Sequence, residues 1–267
     1  MTIKQTIKKI EWDNKVRRGG FLQSKHIVVR AECLSLKIAG SILIECKNQL
    51  WVKDMNLYGL DILSELPKKF DQAYKKDKNW PAKVIKDFDK IGKRCEVFFR
   101  KLKKNNFKKS EQLIFFQQYI KLLLDIQRYY IIAAPLADYC EEKLQKENPK
   151  LLVYAYPIKK LDIDNFNKSL SAIHKASGNK KELLRQKHLE KFKWIKSSYN
   201  IPVVYTEKDL DEETDALNKN SHAVLKKHKK ENYLLRGLQS GVFMRNRIKE
   251  VSQQLWFAIE PLAQNIA

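Results

Sequence analysis

From Val84 to Leu102 the apolar residues recur at alternating intervals of four and three: Val84, Phe88, Ile91, Cys95, Phe98 and Leu102. That spacing keeps one face of a helix continuously apolar, and it predicts an amphipathic helix packed on a core. Pro81 suits its first turn, where a missing N–H costs nothing. A helix over about Leu60 to Lys76 precedes it. After Ser110, a candidate cap, two rows run in parallel: Leu113, Phe116, Ile120, Leu123, and Phe115, Tyr119, Leu122, Ile126, Tyr129. Two rows predict burial on more than one side, so this segment is expected to be the central helix. Pro135 should kink it or end it.

Further on the pattern thins. Residues 145 to 162 read as a loop around Pro149 and Pro157. A short helix from about Asp164 to Ala176 is broken by Ser177-Gly178-Asn179, and another covers about Lys181 to Lys196. Thr206 to Asp209 has the spacing of a reciprocal cap. The helix it opens carries a thin seam, Leu210, Leu217, Val224 and Leu225, and should be peripheral. The last helix, from about Asn232, keeps a three-four row: Leu234, Leu238, Gly241, Arg245, Ile248, Ser252, Leu255, Ile259, Leu262, Ile266.

Strand signals are confined to the first 58 residues. Ile27-Val28-Val29 is a short β-like run, and Ser41–Cys46 and Leu50–Val52 flank a polar loop, which predicts a β-hairpin. Residues 1 to 20 read as a basic helix stopped by Gly19-Gly20. The expected fold is therefore mainly α, a multi-helix domain over 59–267 continuous with an N-terminal region, 1–58, that holds the basic helix and the hairpin.

Charge adds a second layer. The 267 residues hold 53 Lys and Arg against 31 Asp and Glu, a net charge of +22. Such an excess attracts polyanions weakly and without sequence preference. Most of it is Lys spread over every segment among Asn and Ile, which is also what compositional bias produces; runs such as Lys226–Lys230 read as solvated faces. Cys33, Cys46, Cys95 and Cys140 form no C-x-x-C pair and read as separate reduced thiols. The start has no apolar signal core, and the most apolar run, Ile120–Tyr139, is interrupted by Lys121, Asp125 and Arg128. A cytoplasmic chain with no membrane partner is expected.

No complete catalytic signature appears, and no metal-ligand spacing among the five histidines. No catalytic residue, metal site or cofactor is assigned to this chain, and activity on its own is not expected. Arg245 stands out because it occupies an otherwise apolar row beside Gly241. A guanidinium there needs either a buried carboxylate or an anionic ligand; a pocket contact facing the His188 helix is expected, with Gly241 leaving space. His188 lies on the row Leu184, His188, Phe192, Ile195 and reads first as a satisfied core histidine. Trp194, Tyr129 and Tyr130 are packing residues that could also wall a pocket.

Two segments carry a likeness. His188-Leu189-Glu190-Lys191-Phe192-Lys193-Trp194-Ile195, followed after an irregular stretch by Tyr205-Thr206-Glu207-Lys208-Asp209-Leu210, resembles phosphoenolpyruvate-synthase-like proteins, where H-x-x-x-[YF]-x-W precedes a Y-T-x-x-[DE]-[FL] helix start. Phe243-Met244-Arg245-Asn246-Arg247-Ile248-Lys249-Glu250, running to Pro261-Leu262-Ala263, is similar to that family's LR-x-x-R-K-E … PLL-x-x-IA helix, with Ile248 where a second Arg often stands. The resemblance implies a helical module like the acceptor region of rifamycin phosphotransferases. In that family, ATP-grasp and phosphohistidine domains supply the chemistry, together with ATP and Mg. Neither domain is recognisable here, so the resemblance implies that they would act from another chain. Arg245, His188, Trp194, Lys249, Tyr129 and Tyr130 are the pocket candidates. The competing reading is a basic helical nucleic-acid-binding or protein-interaction protein.

Overall fold

The computed structural model describes residues 12–16, 36–38, 42–44, 49–52, 55–102, 109–197, 203–217 and 232–266. Among them are five short strands and then eight α-helices. The helices are α1 (Leu60–Lys76), α2 (Trp80–Leu102), α3 (Lys109–Gln127), α4 (Tyr130–Glu147), α5 (Asp162–His174), α6 (Gly178–Phe192), α7 (Glu207–Leu217) and α8 (Tyr233–Ile266), with a 3₁₀ turn at Pro149–Tyr154 inside the expected loop. Mainly α is therefore the architecture of the described chain. No helix among the described residues is long and apolar enough to cross a membrane.

Two of the strands lie where strand signals were read, within Ser41–Cys46 and at Leu50–Val52, but their pairing differs; three more were not expected, and Ile27–Val29 lies outside the described residues. They are β1 (Trp12–Val16), β2 (Leu36–Ile38), β3 (Ile42–Ile44), β4 (Gln49–Val52) and β5 (Met55–Gly59). The predicted hairpin would join β3 to β4; instead β3 pairs antiparallel with β2, and β4 with β5, whose other edge carries β1. Shorter connections win. Ile38 faces Ile42 and Val52 faces Met55, so three and two residues intervene rather than the four between Ile44 and Gln49. The expected helix over residues 1–20 lies outside the described residues except at 12–16, which form β1, and Cys33 and Cys46 lie outside them altogether.

Two hydrophobic cores organise the helices. The larger is built from α1, α2, α3, α4 and α8. The α2 stripe behaves as its spacing predicts: Val84, Phe88, Cys95, Phe98 and Leu102 are buried and Ile91 packs against them. The smaller core gathers Phe166, Leu170 and Ile173 of α5, Phe192 of α6, Trp194, Tyr205, and Leu210 of α7. Phe99 of α2 and Phe257 of α8 lean on it from the main body. The α7 start is the reciprocal cap read from its spacing: Thr206 N–H donates to the Asp209 carboxylate at 2.7 Å, and Asp209 N–H to Thr206 Oγ1 at 3.4 Å. The seam expected beyond Leu217 lies outside the described residues.

The central helix is α8, not α3. Over Tyr233–Glu260 only Arg245 and Lys249 are exposed. On α3 the outer positions Leu113 (58% exposed) and Ile114 (54%) find no cover. The long apolar run also divides earlier than Pro135: the break falls at Arg128–Tyr129, and Pro135 sits inside α4. A proline's ring collides with the carbonyl four residues back, so the turn just upstream is where the chain yields.

α4 and α8 approach closely because small residues meet. A Cβ at Gly241 would lie 2.6 Å from the Ala133 carbonyl oxygen and 2.8 Å from the Ala137 nitrogen. A Cβ at Gly237 would collide with the Tyr74 hydroxyl and lie 2.5 Å from Cys140 Sγ. Gly241 thus leaves no space beside Arg245, contrary to expectation; the neighbouring backbone occupies it.

Candidate functional site

The six residues singled out from sequence do not converge. Arg245 and Lys249, four apart, form the exposed patch of α8 over Tyr233–Glu260. Gly241 lies against Ala133 and Ala137, and Ser252 against Gln127, so Arg245 falls level with the α3–α4 break. Tyr129 is buried in the large core, edge-on to Phe88 at 5.3 Å, and burial pushes its hydroxyl up to about 12. Tyr130 packs against the same core. These are core aromatics, as their helical spacing allows.

His188 lies in the smaller core, 1% exposed, its ring within 4.6–5.8 Å of Phe166, Phe192 and Tyr205. Nδ1 is 3.0 Å from Ser169 Oγ, while Nε2 is sealed from solvent. Burial, helped by Lys191, lowers its pKa to about 4, so the neutral ring is the folded form. A Ser–His pair with no carboxylate to orient the ring and a sealed second nitrogen lacks the elements of nucleophilic catalysis. His188 is a core histidine.

Of the six, Trp194 borders a cleft described among these residues. It is set by a chain of turns after α6: Ile195 N–H donates to the Phe192 carbonyl at 2.9 Å, and Ser197 N–H to the Trp194 carbonyl at 2.9 Å. Tyr205 N–H then returns to the Lys193 carbonyl at 2.9 Å, and the Gln253 amide of α8 ties down the Ser197 carbonyl at 2.5 Å. The indole is thereby held in the smaller core at the edge of the cleft. The cleft there, about 250 Å³, is walled by Phe99, Phe192 and Trp194, with Glu96, Arg100, Asp162, Lys191, Arg247 and Gln254 as its polar lining.

Arg247 is the electrostatic centre of this cleft. Its guanidinium donates to Asp162 at 2.6 Å, to Glu96 at 2.5 Å and to Glu250 at 3.3 Å, joining α2, α5 and α8. Burial opposes its charge, but Asp162, Glu250 and Glu96 outweigh that, so it stays charged. Asp162 also accepts from the Gln254 amide at 2.6 Å. Glu250 accepts the Ile163 N–H at 3.0 Å, satisfying a free donor at the start of α5 where the helix dipole favours negative charge. Even so, burial leaves Glu250 above the ordinary carboxylate range. The test set for Arg245, closure by a carboxylate, is met two residues later by Arg247.

Arg247 is thus saturated by protein groups. What the cleft offers a ligand is its rim cations and the partly exposed Phe99, since Phe192 and Trp194 are themselves buried. Arg100 makes no ion pair among the described residues, and Lys191 lies over the Phe192 ring at 5.1 Å. Sequence reasoning missed Glu96 and Arg100 of α2, Asp162 of α5 and Gln254 of α8, which lie on three helices far apart in the chain. The Arg247-x-x-Glu250 pair was legible, since residues three apart on a helix face each other.

No protein-family model matches the chain, and comparison with curated proteins and with solved structures gives no significant match. The phosphotransferase resemblance therefore rests on its two sequence segments alone.

Proposed function

We propose that the chain is a non-catalytic helical acceptor-binding or scaffold module, of the kind found in phosphoenolpyruvate-synthase-like phosphotransferases, whose acceptor lies in the cleft between the two cores. One observation supports this reading above others. Trp194 from the first resembling segment, and Arg247 and Gln254 in and beside the second, line the same cleft although some fifty residues separate them. Arg100 and Lys191 give an anionic or hydroxylated acceptor two rim contacts, and the half-buried Phe99 ring adds an apolar edge above the buried Trp194. ATP, Mg and the phosphohistidine would come from partner domains on another chain.

The test is a screen of small hydroxylated and anionic aromatic compounds by ligand-observed NMR. Binders should be lost together in an Arg100→Gln/Lys191→Gln variant and kept in Arg245→Gln, which alters only the exposed patch of α8. Binders indifferent to the cleft variant would overturn the assignment. A second reading, a basic interaction protein, is favoured by a separate groove on α2 and α3.

A further inference from the structure

Away from the cleft, α2 and α3 leave a trough of about 450 Å³ between them. Its floor is Val97, Phe98 and Leu122, and its rims carry Lys93, Arg94 and Lys101 on α2, and Gln118 and Lys121 on α3. Val97 is 44% exposed. On α3 the row Gln118, Lys121 continues one turn back to Ile114, also exposed. The two helices are clamped at one end by the Arg94–Asp125 ion pair, 3.2 Å, and farther along by the Phe98–Phe115 ring contact, centroids 6.0 Å apart. Arg94 is thereby neutralised. Lys93, Lys101 and Lys121 form no ion pair among the described residues.

An apolar floor with unneutralised cations on both rims is a recognisable physical combination. Lys93, Val97 and Lys101 succeed each other at intervals of four, so they form one row about 12 Å long at 1.5 Å per residue. That is a little over two turns of a helix laid in the trough. An occupant burying apolar side chains there would place its flanking residues against three lysine ammonium groups. We infer that this trough docks an acidic amphipathic helix of a partner protein, with aliphatic residues at i, i+4 and i+7 over Val97 and Leu122, and Asp or Glu on its flanks facing Lys93, Lys101 and Lys121. Charge complementarity decides the sign of the partner, and the exposed aliphatic side chains of Val97 and the neighbouring Ile114, above buried Phe98 and Leu122, decide its class. A nucleic-acid strand would match the lysines but leave Val97 and Ile114 without apolar cover, whereas an amphipathic helix satisfies both. The inference is independent of the acceptor cleft, which lies on the other side of α2 at Glu96, Phe99 and Arg100.

Fluorescence anisotropy of the whole chain against three labelled probes tests it. The first is a 14-residue peptide with Leu at i, i+4, i+7 and Glu on the flanks. The second is the same composition permuted to destroy the apolar stripe, and the third a single-stranded RNA oligonucleotide. The ordered peptide should bind saturably and at least about tenfold tighter than the permuted one. Reversing the rim with Lys93→Glu/Lys101→Glu/Lys121→Glu should weaken it about tenfold or more, and Val97→Gln should weaken it with the charge intact. Lys249→Glu, a single reversal on the exposed patch of α8, should leave it unchanged, whereas Lys101→Glu alone, the matched single reversal on the rim, should weaken it. All these positions are exposed, so circular dichroism should show every variant folded. Equal binding of ordered and permuted peptides, no saturable binding, or tighter binding of the RNA would each overturn the proposal.

Discussion

Along its first turns, up to Met244, α8 lies against α4 and α1 with side chains removed: Gly237 and Gly241 face Tyr74, Cys140, Ala133 and Ala137. From Arg247 to Gln254 the same helix is enclosed except at Lys249, and although Ile248 and Val251 stay in the apolar core, its other buried contacts are polar. Gln127 donates to Ser252 at 2.7 Å in full burial, Gln254 reaches Asp162, and Arg247 holds three carboxylates. The first half is tight because backbone meets backbone, so its stability is van der Waals contact that any added atom disrupts. The second half depends on each polar group finding a partner, because an orphaned buried charge costs far more than the pair contributes. Close packing closes the first half; the polar half borders the cleft.

The largest test of that contrast is Arg247→Met. It retains length and apolar stem but strands Asp162 and Glu250, and it should cost about 3–5 kcal/mol in urea unfolding. Adding Glu250→Gln should return part of that loss, since Gln can still accept the Ile163 N–H. A Met variant as stable as the parent would mean that the polar half is no more demanding than the apolar one.

The smaller core gives a pH-dependent comparison. His188 binds its proton less readily folded, at about 4, than the ordinary 6.5. Its contribution is therefore fully present above pH 6.5 and is lost as pH falls from 6.5 towards 4, about 3 kcal/mol in all. His188→Phe should remove that slope while keeping an aromatic ring among Phe166, Phe192 and Tyr205. Urea midpoints at pH 7 and 4.5 measure it; parallel pH profiles for parent and variant would refute the assignment.

The weakest effects separate glycines that are needed from one that is not. Gly241→Ala must push α4 from α8 and should cost about 1–3 kcal/mol by thermal unfolding. Gly92, in the middle of α2, has nothing within 4 Å of a built Cβ. Gly92→Ala should therefore stabilise by up to about 1 kcal/mol, the helix propensity of Ala over Gly. Equal losses at both sites would show that the Gly241 cost is not one of close approach.

How far the sequence could be read depends on the range of the interaction concerned. Local spacing sufficed for α1, for the α2 stripe from Val84 to Leu102 and for the Thr206–Asp209 cap, because period and capping involve residues within a turn or two of each other. It also placed His188 and Tyr129 in cores. It failed where the answer depended on which surface a helix meets. Two apolar rows made α3 look central, but a row reports apolarity rather than cover, and Leu113 and Ile114 stay exposed. The α8 row ran through Arg245, and only the packed helices reveal that the uncovered turn lies there while Arg247 is the enclosed guanidinium. Gly241 was read as space when it is close contact. Whether a missing side chain leaves a gap or admits a neighbour is decided by a partner more than a hundred residues away in the chain. The cleft itself, with Glu96, Phe99 and Arg100 from α2, Asp162 from α5, Trp194 from the turn after α6 and Arg247 and Gln254 from α8, has no local signature, because its walls are brought together from elements far apart in the chain.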